Sequence, residues 1–198
     1  MHMMLPIGRI WKKQPNGVEE FYVYGEDSRP LAVYQLTEDG IGTPEFVLVD
    51  YSVYFAKRLI RSRDRAVVLN RQYSIETEVG RNINRNANFL PFGEEESVTE
   101  ENRVKFGTYR RDATSGLDYA EQRYYSSELG RFITPDNYVK SIKQGDPETW
   151  NRYAYCGNDP SNRPRLEGVA LACPAKRGEP RKESPVGAVI CYSNNSPC

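Results

Sequence analysis

The chain has 198 residues with 27 Lys+Arg against 27 Asp+Glu, so its net charge is zero and gives no electrostatic reason to expect nucleic acid or an anionic membrane as partner. Only 38% of residues are hydrophobic and the mean hydropathy is -0.71. Aromatics nevertheless reach 12%, with 14 Tyr, which sets the chain apart from aromatic-poor disordered sequences and fits strands wetted on one face.

In chain order, Gly8-Arg9-Ile10 leads into the polar turn Gln14-Pro15-Asn16-Gly17 and then the alternating run Phe21-Tyr22-Val23-Tyr24. After Gly25-Glu26-Asp27-Ser28 comes a second run, Arg29 to Tyr34. Arg9 and Arg29 stand twenty residues apart, a period that suits one β-hairpin per repeat. Strand patterns continue at Phe46–Asp50, Ser52–Ile60, Ala66–Leu69, Val104–Tyr109 and Leu117–Tyr125, the last placing Leu117, Tyr119, Glu121, Arg123 and Tyr125 on one face. Arg61, Arg63 and Arg65 read as one strand face with Asp64 opposite, lining a solvated wall. Turn chemistry at Asp39-Gly40, Pro91-Phe92-Gly93, Thr114-Ser115-Gly116 and Leu129-Gly130 separates the runs. The expected architecture is all-β, an antiparallel hairpin meander. One short helix is a candidate at 146–155, where Asp146-Pro147-Glu148 has the form of an N-cap with Pro in the first turn. Beyond Arg163, five prolines (164, 174, 180, 185 and 197) interrupt a stretch without periodicity, so 164–198 reads as an irregular or disordered tail.

No apolar run approaches the roughly 18–20 residues that span a bilayer. The opening MHMMLPIGRIWKK has no apolar core of a secretion signal. Cys156, Cys173, Cys191 and Cys198 form no CxxC pair, and the one histidine, His2, is remote from them, so no zinc site is expected and the thiols read as free. No phosphate loop, nucleophile elbow or HExxH occurs.

Several segments together resemble a known family. Gly116-Leu117-Asp118-Tyr119-Ala120-Glu121-Gln122-Arg123-Tyr124-Tyr125, followed by Leu129-Gly130-Arg131-Phe132-Ile133-Thr134-Pro135-Asp136, is similar to the "TGLDYARARYYDPxxGRFLSPDP" block of the Rhs repeat-associated core. Leu90 to Glu94 resembles "YLPFGE", Asn151 to Pro160 resembles "NLYAYVGNNP", Tyr54 to Ile60 resembles "YFGGRLIA", and Phe21 to Tyr34 resembles a YD repeat. The "DRLGSVR" element is worn, since Asn70-Arg71-Gln72-Tyr73-Ser74-Ile75 lacks its turn glycine. The resemblance covers roughly 7–163 and divides the chain into a partial YD-repeat segment (1–45), the Rhs repeat-associated core (46–163) and the tail (164–198).

The resemblance implies a wall segment of a curved, hollow β-shell of the kind that Rhs proteins and Tc-toxin C components use to enclose a C-terminal toxin, in a bacterial, secreted or cell-surface setting. It implies as partners the remainder of the shell and a toxin polypeptide, and no cofactor. Family members cleave themselves with two aspartates, since an aspartyl mechanism needs two carboxylates close enough to share a proton. Asp136 matches the first aspartate and Arg131 the arginine of "GRF"; Arg165 stands where the second aspartate belongs, and Leu166 replaces the proline after it. The expectation is a truncated or frameshifted structural piece without effector or self-cleavage, Asp136 and Arg131 being vestigial. Nearby Asp159 reads as an Asx-type turn cap. Two other readings stay open: an autoproteolytic toxin carrier, and a carbohydrate- or surface-binding module using Tyr22, Tyr24, Tyr119, Tyr124 and Tyr125 as stacking platforms.

Overall fold

The computed structural model describes residues 8–25, 29–81, 84–97, 99, 102–120, 122–136, 145 and 147–162. Eight strands follow one another in sequence order as a single antiparallel meander: β1 (Trp11–Lys13), β2 (Glu19–Tyr24), β3 (Pro30–Glu38), β4 (Pro44–Phe55), β5 (Arg58–Ser62), β6 (Arg65–Leu69), β7 (Ile75–Val79) and β8 (Asn84–Asn86). The long β4 joins the two halves: its residues 44–51 pair with β3 and residues 52–55 with β5. A second sheet of four short strands has the order β12-β11-β10-β9, formed by β9 (Arg110–Arg111), β10 (Asp118–Ala120), β11 (Arg123–Ser126) and β12 (Arg131–Phe132). Both sheets are open, so the all-β antiparallel expectation holds without a closed barrel.

Alternation decides which way each strand faces. Along β2, Glu20 and Tyr22 are buried while Phe21 sits on the opposite side beside Phe46, their rings edge-on at 5.1 Å. Four register shifts, at Val23/Tyr24, Val33/Tyr34, Val53/Tyr54 and Val68/Leu69, interrupt the ladders of the long sheet. Each extra residue bends its strand and sharpens the local right-handed twist.

Two clusters fill the interior. Leu59, Val67 and Ile75 from the long sheet pack on Val104, with Tyr54 and Leu69 at the margin. The second cluster is aromatic: Phe106, Tyr109, Tyr125, Phe132 and Tyr155 with Ala120 and Cys156, flanked by Phe89 and Phe92. Tyr125 is its hub, with ring centroids at 4.8 Å from Tyr155, 5.4 Å from Phe132 and 5.9 Å from Phe106. Gly93 is required here, because it adopts φ +91 and a Cβ would lie 2.6 Å from the Phe106 ring.

The structure corrects several readings of the sequence. The run 117–125 is not one strand but a hairpin, in which Asp118 faces Tyr125 and Tyr119 faces Tyr124. The stretch 104–109 contains a 3-10 turn, Phe106–Thr108, because Gly107 and Thr108 turn to positive φ. Arg63 and Asp64 form the turn between β5 and β6, so Arg61, Arg63 and Arg65 do not share a strand face; Arg65 is buried. In place of a helix at 146–155 there is one 3-10 turn, Pro147–Trp150, followed by a further turn at 152–153 and a bridge from Ala154 to Arg131 of β12, with a second 3-10 turn at Cys156–Asn158 just beyond; Asp146 lies outside the described residues. Cys156 is disulfide-bonded, not a free thiol, while Cys173, Cys191, Cys198 and His2 lie outside the described residues, as does 163–198. Among the described residues no helix is long and apolar enough to cross a membrane.

Candidate functional site

Asp136 follows β12 and is tied to the loop that packs beside it. Its backbone N–H donates to the Arg152 carbonyl at 3.0 Å, and Arg152 Nη2 donates back to the Asp136 carbonyl. The Asp136 carboxylate stands 3.6 Å from Arg123 Nη2. Arg123 is itself clamped, its guanidinium carbon 3.7 Å from the centre of the Phe132 ring and its Nη1 donating to the Arg152 carbonyl. Burial pushes the Arg123 guanidinium below its usual value, with the Asp136 charge acting in the opposite direction. Asp136, Arg123 and Arg152 thus form one knot that fixes the end of β12, and the chemistry this arrangement supplies is electrostatic anchoring.

Arg131 is placed differently. It lies in β12 opposite Ser126 and bridges Ala154 through the backbone. Its side chain lines an open surface recess of about 240 Å³ shared with Glu94, Leu129, Asn151 and Asn158. Asp159 caps its own turn, accepting from the Asn162 N–H at 3.3 Å and from Asn162 Nδ2 at 2.9 Å. Arg165 and Leu166 lie outside the described residues. Among the described residues there is no cluster of three or more His, Cys, Asp or Glu side chains suited to a metal ion.

Among the described residues the most developed polar structure is one the sequence does not advertise: a network of buried ion pairs within the chain from 95 to 118 and between it and the long sheet. Glu78 of β7 receives Arg65 at 2.9 Å and Arg103 at 2.5 Å. Asp50 of β4 pairs with Arg110 of β9 and, at 3.3 Å, with Arg63. Asp112 takes Arg9 at 2.8 Å and Lys12 at 3.0 Å. Arg111 bonds Asp118 through two nitrogens, at 2.9 and 2.7 Å, and reaches Glu95, which also pairs with Lys105 at 2.8 Å. Burial opposes ionisation of Asp112, but Arg9 and Lys12 overcome it and hold the carboxyl below its usual value. Lys105 and the Thr99 N–H do the same for Glu95 against a similar burial cost. Asp118 goes the other way: burial pushes it up to about 6 despite Arg111.

The tyrosines considered as stacking platforms are engaged within the fold. Tyr125 is fully buried and its hydroxyl donates to the Phe92 carbonyl at 2.8 Å. Tyr22, Tyr119 and Tyr124 surround Arg9, and the Tyr24 hydroxyl donates to the Arg9 carbonyl.

No family model matches the chain, and no curated protein matches it. Solved structures do. The structure of the Photorhabdus luminescens Tc holotoxin pore, in a TccC3 mutant, is similar over 85% of this chain at 20% identity with a TM-score of 0.52. A crystal structure of TcdB2-TccC3 is similar over 80% at 17% identity and TM-score 0.48, and the same assembly without its hypervariable C-terminal region over 80% at 19% and 0.49. The chain spans about a tenth of those chains, covering 10%, 10% and 9% of them. At these identities the likeness is one of fold.

Proposed function

We propose that the chain is a structural segment of an Rhs-type shell, the kind of β-wall that encapsulates and delivers a C-terminal toxin, and that it carries neither effector nor self-cleavage activity. The observation that carries this reading is the fold likeness to the Tc holotoxin pore over 85% of the chain at TM-score 0.52. Two features support it. The hairpins run in sequence order, with β1 and β8 the outermost strands of the long sheet among the described residues, the positions from which a sheet is continued. The motifs that resemble the repeat-associated core are divided between β4–β5 of that sheet and the second, four-stranded sheet, so the partners this reading calls for are further hairpins of the same wall and an enclosed polypeptide.

The absence of self-cleavage rests on residue chemistry. Asp136 faces the guanidinium of Arg123, and position 165, where the resemblance calls for the second carboxylate, is an arginine. Without a second carboxylate no proton is shared and no acid/base pair forms.

Grafting tests the structural role. Replacing the matching tenth of the chain in the Tc holotoxin pore with this chain should still give closed particles by electron microscopy. Particles that fail to close, from a chain that is folded and monomeric alone, would overturn the reading. Intact-mass analysis tests the second part: the chain and its Asp136→Asn variant should both stay at full length on incubation, and a product that disappears in the variant would show a working protease.

A further inference from the structure

We infer that Tyr22, Tyr119, Tyr124 and Asp112 form a guanidinium-binding cage, occupied in this structure by the chain's own Arg9, which takes arginine side chains and alkylguanidinium ions as its ligand class. The Arg9 guanidinium carbon lies 4.4 Å from the centre of the Tyr22 ring and 4.3 Å from that of Tyr119, so two aromatic rings stand within cation–π reach of the planar cation. Nη1 donates to Asp112 Oδ2 at 2.8 Å and to the Tyr124 hydroxyl at 2.8 Å. Nη2 donates to the Tyr22 hydroxyl at 2.7 Å and to Asp112 Oδ1 at 3.2 Å. Nε alone has no hydrogen-bond partner, which is the position an alkyl substituent would occupy.

The geometry differs from an ordinary ion pair because its walls are held independently of Arg9. The Tyr22 hydroxyl donates to Glu20 at 2.6 Å, and Glu20 accepts from Gln14. Tyr119 and Tyr124 pack ring to ring at 5.3 Å across the β10–β11 hairpin. Asp112 keeps Lys12. Removing the Arg9 side chain therefore leaves a preformed slot with a bidentate carboxylate, two hydroxyl acceptors and two ring faces. A planar fork meets these groups from two nitrogens, Nη1 and Nη2, whereas an ammonium ion has a single nitrogen and cannot stand at both positions. Tyr22 belongs to the long sheet and the other three residues to the second unit, more than 100 positions from Arg9. Arg9 is thus a removable key that couples the two, and an arginine presented by another segment competes for the same slot. The inference stands apart from the proposed shell role, since it concerns this chain's own cage.

Chemical rescue tests it. In the full 198-residue chain, Arg9→Ala should lower the melting temperature by about 5–10 °C. N-methylguanidinium at about ten times its Kd should recover half or more of that loss. N-methylammonium at equal ionic strength should recover none, and the unmodified chain, whose cage is full, should gain nothing. Adding Asp112→Asn to Arg9→Ala should abolish the rescue. Equal effects of the two ions, or equal gains in the unmodified chain, would overturn the cage. Should Arg9→Ala not accumulate in folded form, its refolding yield with and without N-methylguanidinium decides the matter, and a yield indifferent to the ion rejects the inference.

Discussion

The two sheets are held together by different physics. The second sheet surrounds an aromatic cluster in which Phe106 and Tyr125 have no exposed surface and every large ring touches another. The long sheet has twice as many strands but only Leu59, Val67 and Ile75 in its main buried cluster, and its other buried residues mix Tyr22 and Val33 with the charged Glu20, Asp50, Arg65 and Glu78. A wall one layer thick cannot bury much apolar surface, so charge pairs join the Leu59–Val67–Ile75–Val104 contact in fastening it to the rest. Hydrophobic packing tolerates acid and salt, whereas ion pairs depend on both partners staying charged. The two halves should therefore fail under different insults.

The largest effect is expected in the aromatic cluster. Tyr125→Ala should cost about 3–5 kcal/mol in urea unfolding, since it removes the ring that all the others contact. Val67→Ala in the long sheet should cost clearly less, about 1–2 kcal/mol. Equal losses would erase the contrast between packed unit and thin wall. Next comes the ion-pair network. Glu78→Ala removes the carboxylate that buried Arg65 and Arg103 share, and a loss of about 3 kcal/mol is expected. Replacing all three with apolar residues of similar volume should restore much of it, because the pair's worth lies mainly in mutual compensation.

Acid sharpens the same contrast at smaller amplitude. Asp112 and Glu95 are both depressed in the folded chain, so their stabilisation is complete above the ordinary carboxylate range and is lost as pH falls through and below about 4. Asp118 has the opposite sign: with its carboxyl at about 6, the folded chain binds that proton first, and stability gains slightly as pH falls from about 6 toward 4. Urea midpoints should thus be level or slightly rising from pH 7 to 4.5 and drop steeply below pH 4. A steady decline beginning at pH 6 would contradict these assignments. Near-UV signals from the aromatic cluster should outlast the docking of the long sheet on the acid side.

How much of this was readable beforehand depends on range. Strand positions and the antiparallel meander follow from local patterns of a few residues, such as the run Phe21–Tyr24 and the short β-branched apolar run Ala66–Leu69. Turns were readable where glycine or proline marks them and missed where ordinary residues adopt the same backbone. Tyr73, at φ +60, does the work of the absent turn glycine, with Asn70 Oδ1 accepting from the Gln72 and Ser74 N–H groups. The hairpin after Ala120 carries no such mark either, hence its misreading as one strand. Asp136 and Arg131 were legible as motif residues, but only the folded chain reveals that Arg123 covers the one and a recess lies beneath the other. The ion-pair network was illegible for a simple reason: Arg9 and Asp112, or Asp50 and Arg110, are scores of residues apart, and nothing in a charge's immediate neighbourhood states which distant opposite charge it will meet.

The β4–β5 turn offers the smallest and cleanest effect, because it touches neither sheet's interior. Its two central residues, Ala56 and Lys57, have φ of 44 and 70, the left-handed pair that suits the twist of a two-residue hairpin. Residues with a Cβ pay about 1 kcal/mol to hold that conformation, while glycine does not. Glycine also raises the entropy of the unfolded chain, which takes back part of the gain. Lys57→Gly should therefore stabilise by about 0.5 kcal/mol, and Ala56→Asn with Lys57→Gly by about 1 kcal/mol, read as a higher urea midpoint at unchanged slope. Arg131 and the aromatic cluster should be unaffected. If the double variant instead lost stability, the strain would not reside in this turn, and the close register of Phe55 with Arg58 would have to be imposed by the flanking strands.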